Sequence, residues 1–545
     1  VLVSLLVPLL AACGDDNHSD AWNESLTVGE PLRANGDLLY VNENFEQVFR
    51  LKPERSGSEI RLDIDRAPTG ADPGARALSA DESRLFVVNE KLDDQDASLS
   101  VFDLTGDGLT AQTVALDSPY DRLSVDPEGE FLLLSFTGGG EGFVARNLNE
   151  LGVVDLRDGI GADEEAQSQQ TSFETLSSRP SEIVFAPKFE LGGSEQRLAA
   201  TLSPSEVTIV DLLADDAENR LREVPLTISQ ADQVRTPTQA IFDVTPEEST
   251  PNTVSLYLLT DTGQDITHVS IQPSLDESAT RKFNLTVNQL AAGSRPVRMK
   301  LLELGDSESG EPRTRLIAID GNQPRFTMID VQSGESSTFD LPMTAPAEDM
   351  LVYQTTVDGE PETRVLAWSS RSALVSVIRP ESIAISDDTP TLGRSVEAIR
   401  LKAAPSQVQL DEAGSGSAQA SERAIAYHPG LDAGFTVLNL HTNRAVRIEG
   451  ASLGDVFFGQ TYAFGVFRGE PYFGLFDLTT GHPNVYELPK EGQGIYLDAE
   501  DDLLVVEHDD RTGSFTLLNA QNPTPENARV FNDVFLENLF AQELP

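Results

Sequence analysis

One short pattern recurs along the 545 residues and constrains the fold more than any other feature: alternating apolar residues, then Asp or Asn, then another apolar residue and often a polar-Gly turn. It appears as Val101-Phe102-Asp103-Leu104, Val153-Val154-Asp155-Leu156 and Ile209-Val210-Asp211-Leu212, and later as Met328-Ile329-Asp330-Val331 and Val437-Leu438-Asn439-Leu440. Leu475-Phe476-Asp477-Leu478 and Leu517-Leu518-Asn519-Ala520 complete the set, and degenerate copies place Arg50, Gln272 and Arg379 at the polar position. Successive polar positions lie 53, 52, 56, 61, 58, 49, 60, 38 and 42 residues apart. A period of this length is the mark of a repeat architecture, in which each unit is one supersecondary motif that buries its faces against its neighbours.

Each period holds four short strand signals. Residues 179–229 offer Glu182–Ala186, Arg197–Leu202, Glu206–Leu212 and Arg222–Ile228; residues 454–490 offer Asp455–Phe458, Tyr462–Phe467, Tyr472–Leu478 and Asn484–Leu488. Short runs of alternating polarity, rich in Val, Ile, Phe and Tyr and bounded by turn residues, specify antiparallel strands. No stretch sustains a 3.6-residue apolar period, so helices are expected to be few. Four antiparallel strands repeated radially make a β-propeller. The expected fold is therefore all-β, a single ring of four-stranded antiparallel blades with about ten repeat units, which allows seven to ten blades. The run Gly414–Gln419 falls between Val408–Leu410 and Ala424–Tyr427 and reads as a hairpin loop inside one unit.

The polar residue of the repeat has a local task. At a strand end an Asp or Asn oxygen accepts backbone N–H bonds in the following turn. Asp103, Asp155, Asp211, Asp330, Asn439, Asp477 and Asn519 are assigned this role. The pattern resembles the YVTN, PQQ-like and WD40-like propeller families over nearly the whole of residues 31–545. The Trp-Asp and Gly-His signatures of WD repeats are absent, as is the regular Trp of PQQ repeats, since only Trp22 and Trp368 occur. The resemblance therefore implies a fold and no activity.

Ring closure is read from the ends. The first unit supplies Leu38–Val41, Val48–Leu51 and Ile60–Ile64 but no clear innermost strand, while Val534–Phe540 is strand-like and left over. The expectation is that this C-terminal strand completes the first blade and so removes two exposed sheet edges. Full burial of Val534, Phe535, Leu536 and Leu539 would contribute about 1.5–3 kcal/mol each.

The N-terminal residues carry a different message. Val1–Ala12 is apolar but for Ser4, with a proline at position 8, and is followed directly by Cys13, the single cysteine. Twelve residues fall short of the roughly 20 needed to span a bilayer, and their length suits a signal h-region. Leu10-Ala11-Ala12-Cys13 resembles the lipobox of bacterial lipoproteins, although no Lys or Arg precedes the apolar run. The resemblance implies residues 1–12 as a signal peptide and Cys13 as the lipid attachment site. Residues 13–30, polar and without periodicity, are expected to be a flexible acidic tether. Gly14, not Asp, follows the cysteine, which points to the outer membrane of the cell envelope, on its periplasmic or surface face.

Composition narrows the partners. The net charge is −50, from 89 acidic and 39 basic residues, only seven of them Lys. Such a surface repels phosphate backbones and argues against nucleic-acid binding. With its cysteine assigned to lipid the chain has no intrachain disulfide, and burial and strand pairing must hold it.

A catalytic set is not found. His18, His268, His428, His441, His482 and His508 form no HExxH pair. The single cysteine rules out Cys-based zinc sites and c-type haem attachment, and no GxSxG elbow occurs. Gly138–Gly142 reads as a hairpin loop. Glu507-His508-Asp509-Asp510, with Asp498, Glu500, Asp501 and Asp502 nearby, is the densest group of metal-ligand types, and it reads as a solvated turn, as do Asp93-Asp94-Gln95-Asp96 and Asp107. The expectation is a lipid-anchored, extracytoplasmic binding or scaffold protein that takes a protein or small-molecule partner at one mouth of the ring. No metal, cofactor or catalytic residue is assigned. The alternative is a lactonase-like propeller hydrolase with a divalent cation in the central channel, whose ligands would come from different blades.

Overall fold

A computed structural model describes residues 28–535 except 58, 91–96, 139–146, 162–169, 192–193, 215–216, 225, 227–234, 246–252, 275–282, 305–312, 358–359, 386–394, 411–422, 430–432, 451–452, 460, 499–501 and 511. The expected leader, Cys13, most of the expected tether, Asp93–Asp96, Glu500, Asp501, Gly414–Gln419 and Leu536–Phe540 lie outside the described residues. Ten four-stranded antiparallel sheets follow one another, over residues 32–68, 73–115, 122–175, 182–224, 237–291, 296–340, 349–400, 407–449, 453–487 and 492–531, and are numbered here as blades 1 to 10. Among the described residues helix is limited to Gln170, Ala217–Arg220 and two single 3₁₀ turns, and no helix is long and apolar enough to cross a membrane.

In every blade the strands pair in chain order, each with its successor, so all sheet hydrogen bonding is local to one unit. Among the described residues, blade 4 alone carries an inserted hairpin, Phe189–Leu191 and Ser194–Gln196, between its first and second strands. The first strands of successive blades lie side by side around the axis, as in the blade 2–3, 6–7 and 9–10 pairs.

The core sits between blades. Among the described residues ten apolar clusters are found, one for each pair of neighbouring blades, including blade 10 with blade 1. The alternation of side chains along a strand explains this directly. In the second strand of blade 1, Asp37–Asn42, Leu39 and Val41 join the cluster shared with blade 2, while Leu38 and Tyr40 join the one shared with blade 10. A strand covered on both faces needs an apolar residue at every position. The expected alternation of polarity therefore fails in the second strands: Phe131–Ser135 is buried throughout. It survives in the outermost strands, such as Thr110–Ala115, which meet solvent.

The repeat marker falls on or just after the third strand of every blade. Asp103, Asp155, Asp211, Asp330, Asn439, Asp477 and Asn519 each end a third strand; Arg50 and Gln272 lie within one and Arg379 directly follows one. At each of the seven ends a side-chain oxygen accepts a backbone N–H two or three residues on. Asp477 takes two, from Thr479 at 2.8 Å and Thr480 at 2.9 Å, and these hold its carboxyl below the usual range.

Closure differs in one respect from the sequence expectation. The innermost strand of blade 1 is Leu32–Ala34, paired antiparallel to Leu39–Asp37, so the C-terminal segment does not fill that place. It closes the ring as a wedge. Val534 and Phe535 are buried in the apolar cluster between blades 1 and 10, their N–H groups bonded to the carbonyls of Gly513 and Thr512. The Phe535 ring meets Tyr40 and Phe49 edge-on at 5.2 Å and Phe515 at 6.0 Å. Arg66 of blade 1 donates to the Val534 carbonyl at 3.0 Å, tying the wedge across the seam.

Candidate functional site

Strand direction assigns the loops to two faces. First strands begin and second strands end at one mouth of the ring; the seven turn residues above lie at the other. At the first mouth, eight of the ten second strands end on a buried polar residue: Asn42, Asn89, Ser135, Ser203, Thr260, Asp320, His428 and His508. Four of these bond to the segment that enters their own blade's first strand, through Ser178 O, Ser294 N, Ala404 O and Glu491 O. The two histidines do so identically. Nδ1 faces the carbonyl at 3.2 Å and Nε2 faces a hydroxyl eight residues on, Thr436 at 2.8 Å and Thr516 at 2.7 Å. A carbonyl only accepts, so Nδ1 carries the hydrogen and the threonine donates to Nε2. Burial pushes the His508 pKa down, consistent with a neutral ring. Sequence reading missed these ties, although a polar residue closing each apolar run was there to find.

The same mouth holds a group of carboxylates on blades 1 to 3. Glu90, directly after the second strand of blade 2, is half-buried, and burial, helped by Asp121, Asp72 and Glu43, raises its pKa to about 7. A carboxyl with a raised folded pKa contributes stability fully present below the unfolded value near 4.5 and lost as pH rises through about 7. Glu90→Gln is therefore expected to raise the melting temperature above pH 7 and to leave it unchanged below pH 4.5. Thermal melts of the two proteins across this range check it.

At the seam, where blades 9, 10 and 1 meet, the mouth opens into a cavity of about 950 Å³. Three blades and the closing wedge build it: residues between Val28 and Arg33 entering blade 1, Gly454, Asp455 and Arg468 on blade 9, residues between Glu491 and Tyr496 with Glu507–Asp510 on blade 10, and Phe535. Four glycines line it, and packing is close at two of those on blade 10: a Cβ at Gly494 would stand 2.6 Å from the Tyr496 hydroxyl, and one at Gly492 2.7 Å from Val466. That hydroxyl donates to Glu507 Oε2 at 3.0 Å, and burial raises the Glu507 pKa. The fully buried Tyr40 hydroxyl also lies beside Glu507 and offsets part of the rise that burial imposes on that carboxyl. The Arg33 guanidinium lies over the Tyr496 ring at 4.2 Å and over Phe457 at 5.6 Å.

The four residues read as a solvated turn thus part company. Glu507 and His508 end the second strand, Leu503–His508, and turn inward, because that strand is covered on both faces. Asp509 lines the cavity. Asp510 organises the turn, pairing with Lys490 Nζ at 2.5 Å and accepting from Thr512 N at 3.1 Å and Ser514 Oγ at 2.9 Å, which holds its carboxyl far below the usual range. Asp498 ends the first strand and Asp502 precedes the second, both at the far mouth, so the hairpin does not bring them round. Asp107 offers its carbonyl to Lys52. Gly138 packs under Arg179, and the remainder of its glycine run lies outside the described residues. Among the described residues no three His, Cys, Asp or Glu side chains gather as a metal site.

The chain is a ten-bladed β-propeller. No family model matches it, and no curated protein does. Among solved structures it is similar to dihydro-heme d1 dehydrogenase NirN in complex with DHE, at 11% identity and TM-score 0.35 over 92% of this chain and 75% of that one. It is also similar to apo AztD from Citrobacter koseri, at 11% and 0.31 over 70% and 87%. Kuenenia stuttgartiensis hydrazine synthase matches at 12% and 0.29 over 77% and 95%. Likeness at this level does not reach function.

Proposed function

We propose that this propeller is a lipid-anchored, extracytoplasmic binding protein whose partner, a protein or a small molecule, docks at the mouth that carries the seam cavity. The observation behind it is the convergence of Arg33, Tyr496, Glu507 and Asp509 from two blades on one open cavity of about 950 Å³. A concave site of this size with a few fixed polar groups suits recognition. The anchor rests on the lipobox-like Leu10–Cys13, and the YVTN/PQQ-like kinship on the repeat; outer-membrane placement follows from Gly14.

The tests are separate. A photo-crosslinking residue at Gln493, exposed in the cavity, is expected to trap a partner in cells or envelope extracts, whereas one at Val485 on the outermost strand of blade 9 is not. Equal adducts at both positions, or none at Gln493, would remove a protein partner at this mouth. Labelled palmitate should enter the protein and not its Cys13→Ser variant. For the hydrolase alternative, the decisive measurement is elemental analysis of dialysed protein, where stoichiometric Ca²⁺ or Zn²⁺ would displace the binding reading.

A further inference from the structure

We infer that the mouth bearing the seam cavity faces the bilayer, and that the partner it takes there is a membrane-resident protein. The inference rests on the lipid anchor and the binding role proposed above and gives them a direction. Val28 forms an antiparallel bridge with Asn42, the last residue of the second strand of blade 1, and lines the seam cavity. Two residues on, Arg76 of blade 2 donates to the Glu30 carbonyl at 3.2 Å. The chain thus enters the ring at a point fixed on this mouth, beside the innermost strand of blade 1 and tied to blade 2. Fifteen residue steps separate Val28 from Cys13. Whatever path they take, they reach no further than about 50 Å. To bring the far mouth to the bilayer instead, the chain must first cross a blade, about 14 Å for three strand spacings, and then pass a six-residue strand, about 20 Å. That detour uses most of the reach and leaves the chain nearly taut, with the loss of conformational freedom this entails. The near mouth requires no detour.

Charge points the same way and does so independently. The segments that join first to second and third to fourth strands turn at the far mouth, and their sequence holds 34 acidic and 8 basic residues. The segments that join second to third strands, and each blade to the next, turn at the mouth the chain enters, and hold 18 acidic and 10 basic residues. The two faces therefore differ in net charge, −26 against −8, although blade for blade they are built on the same plan. An anionic lipid surface repels the far mouth the more strongly. With the cavity turned to the bilayer, a partner embedded in that bilayer meets it at the high effective concentration a short tether sets, which a partner free in solution does not.

Energy transfer to vesicles of phosphatidylethanolamine and phosphatidylglycerol tests the direction. The full chain is coupled through Cys13, its single thiol, to a maleimide phospholipid, so the result does not depend on lipidation in the cell. A donor dye is carried by an unnatural amino acid at Gln493, exposed in the cavity, or at His441, exposed in the far turn of blade 8, and the acceptor by the lipid headgroups. Because at least one strand length, about 20 Å, separates the two positions along the ring axis, transfer from 493 should exceed that from 441 about twofold. Equal transfer, or more from 441, would overturn the inference. A tether lengthened by about twenty Gly-Ser residues, together with about 0.5 M NaCl, should abolish the difference. A difference that survives both would show that neither reach nor charge sets the direction, and would overturn it too. In cells, the Gln493 crosslink should give an adduct that stays with membranes after the tether is cut at an introduced protease site; an adduct released into solution would overturn the partner class. Failure of palmitate labelling beside the expected vesicle result would remove the proposed anchor, whereas labelling beside equal transfer would remove only the direction.

Discussion

Phe535→Ala should destabilise the protein by about 3–5 kcal/mol, the cost of emptying a well-packed aromatic site. The ring is 4% exposed, touches Tyr40, Phe49 and Phe515, and lies so close to Gly513 that a Cβ there would stand 2.4 Å from it. Few neighbours can collapse into the space, because each belongs to a different strand of blade 1 or 10. Since among the described residues no strand is exchanged across this seam, the loss should be local: hydrogen exchange should quicken in blades 1 and 10 while blades 4 to 7 keep their protection. Removing residues 533–545 should lower the melting temperature further. An unchanged melt after that deletion would show that the ring closes without its wedge.

The second large effect is expected at Arg197, in the insertion-bearing blade 4. Its guanidinium is 2% exposed and faces four carboxylates, Glu130 at 2.5 Å, Glu195 at 3.2 Å, Asp126 at 3.6 Å, and Glu128. Asp126 is buried with it and also accepts the N–H groups of Glu130 and Phe131, whereas the other three acids reach solvent. Arg197→Met should therefore cost about 3 kcal/mol at neutral pH, the low end for breaking a buried pair, because only one orphaned charge stays out of water. Burial already raises the Asp126 pKa. Its contribution is fully present below the unfolded value near 3.8 and is lost as pH rises through the folded one. Without Arg197 that folded value moves higher still, so the deficit should shrink as the pH is lowered. Urea melts at neutral and mildly acidic pH test both the size and the sign; a deficit independent of pH would mean that Asp126 is not the charge left behind.

The architecture was legible where chemistry repeats. The same turn recurs on an Asp or Asn oxygen in seven of the ten blades, so the ends of those third strands are marked in the text of the chain, from Asp103 to Asn519. The second strands are marked as well, by continuous apolar runs. The first strand of blade 1 was not legible, because Leu32–Ala34 is three residues long, follows a proline and centres on an exposed arginine. The leftover apolar segment at 534–540 was the natural substitute; its described residues, Val534 and Phe535, do take part in closure, but as a wedge and not as the innermost strand of blade 1. The cavity was beyond reach for a different reason. Arg33, Asp455 and Glu507 are hundreds of residues apart or on different blades, and only closure of the ring makes them neighbours. His428 and His508 could have been paired in advance: both end an apolar run and both have a threonine eight residues on.

Local pairing of every strand with its successor has a consequence for how the ring is made and how it changes. Each blade can complete its hydrogen bonding as soon as its own four strands have emerged from synthesis, so assembly can proceed vectorially with a single long-range event left to the end, the meeting of the two termini. Duplication or loss of one whole blade needs no rethreading, and a circular permutant opened between blades 5 and 6 would keep every sheet intact while turning the present seam into an ordinary joint.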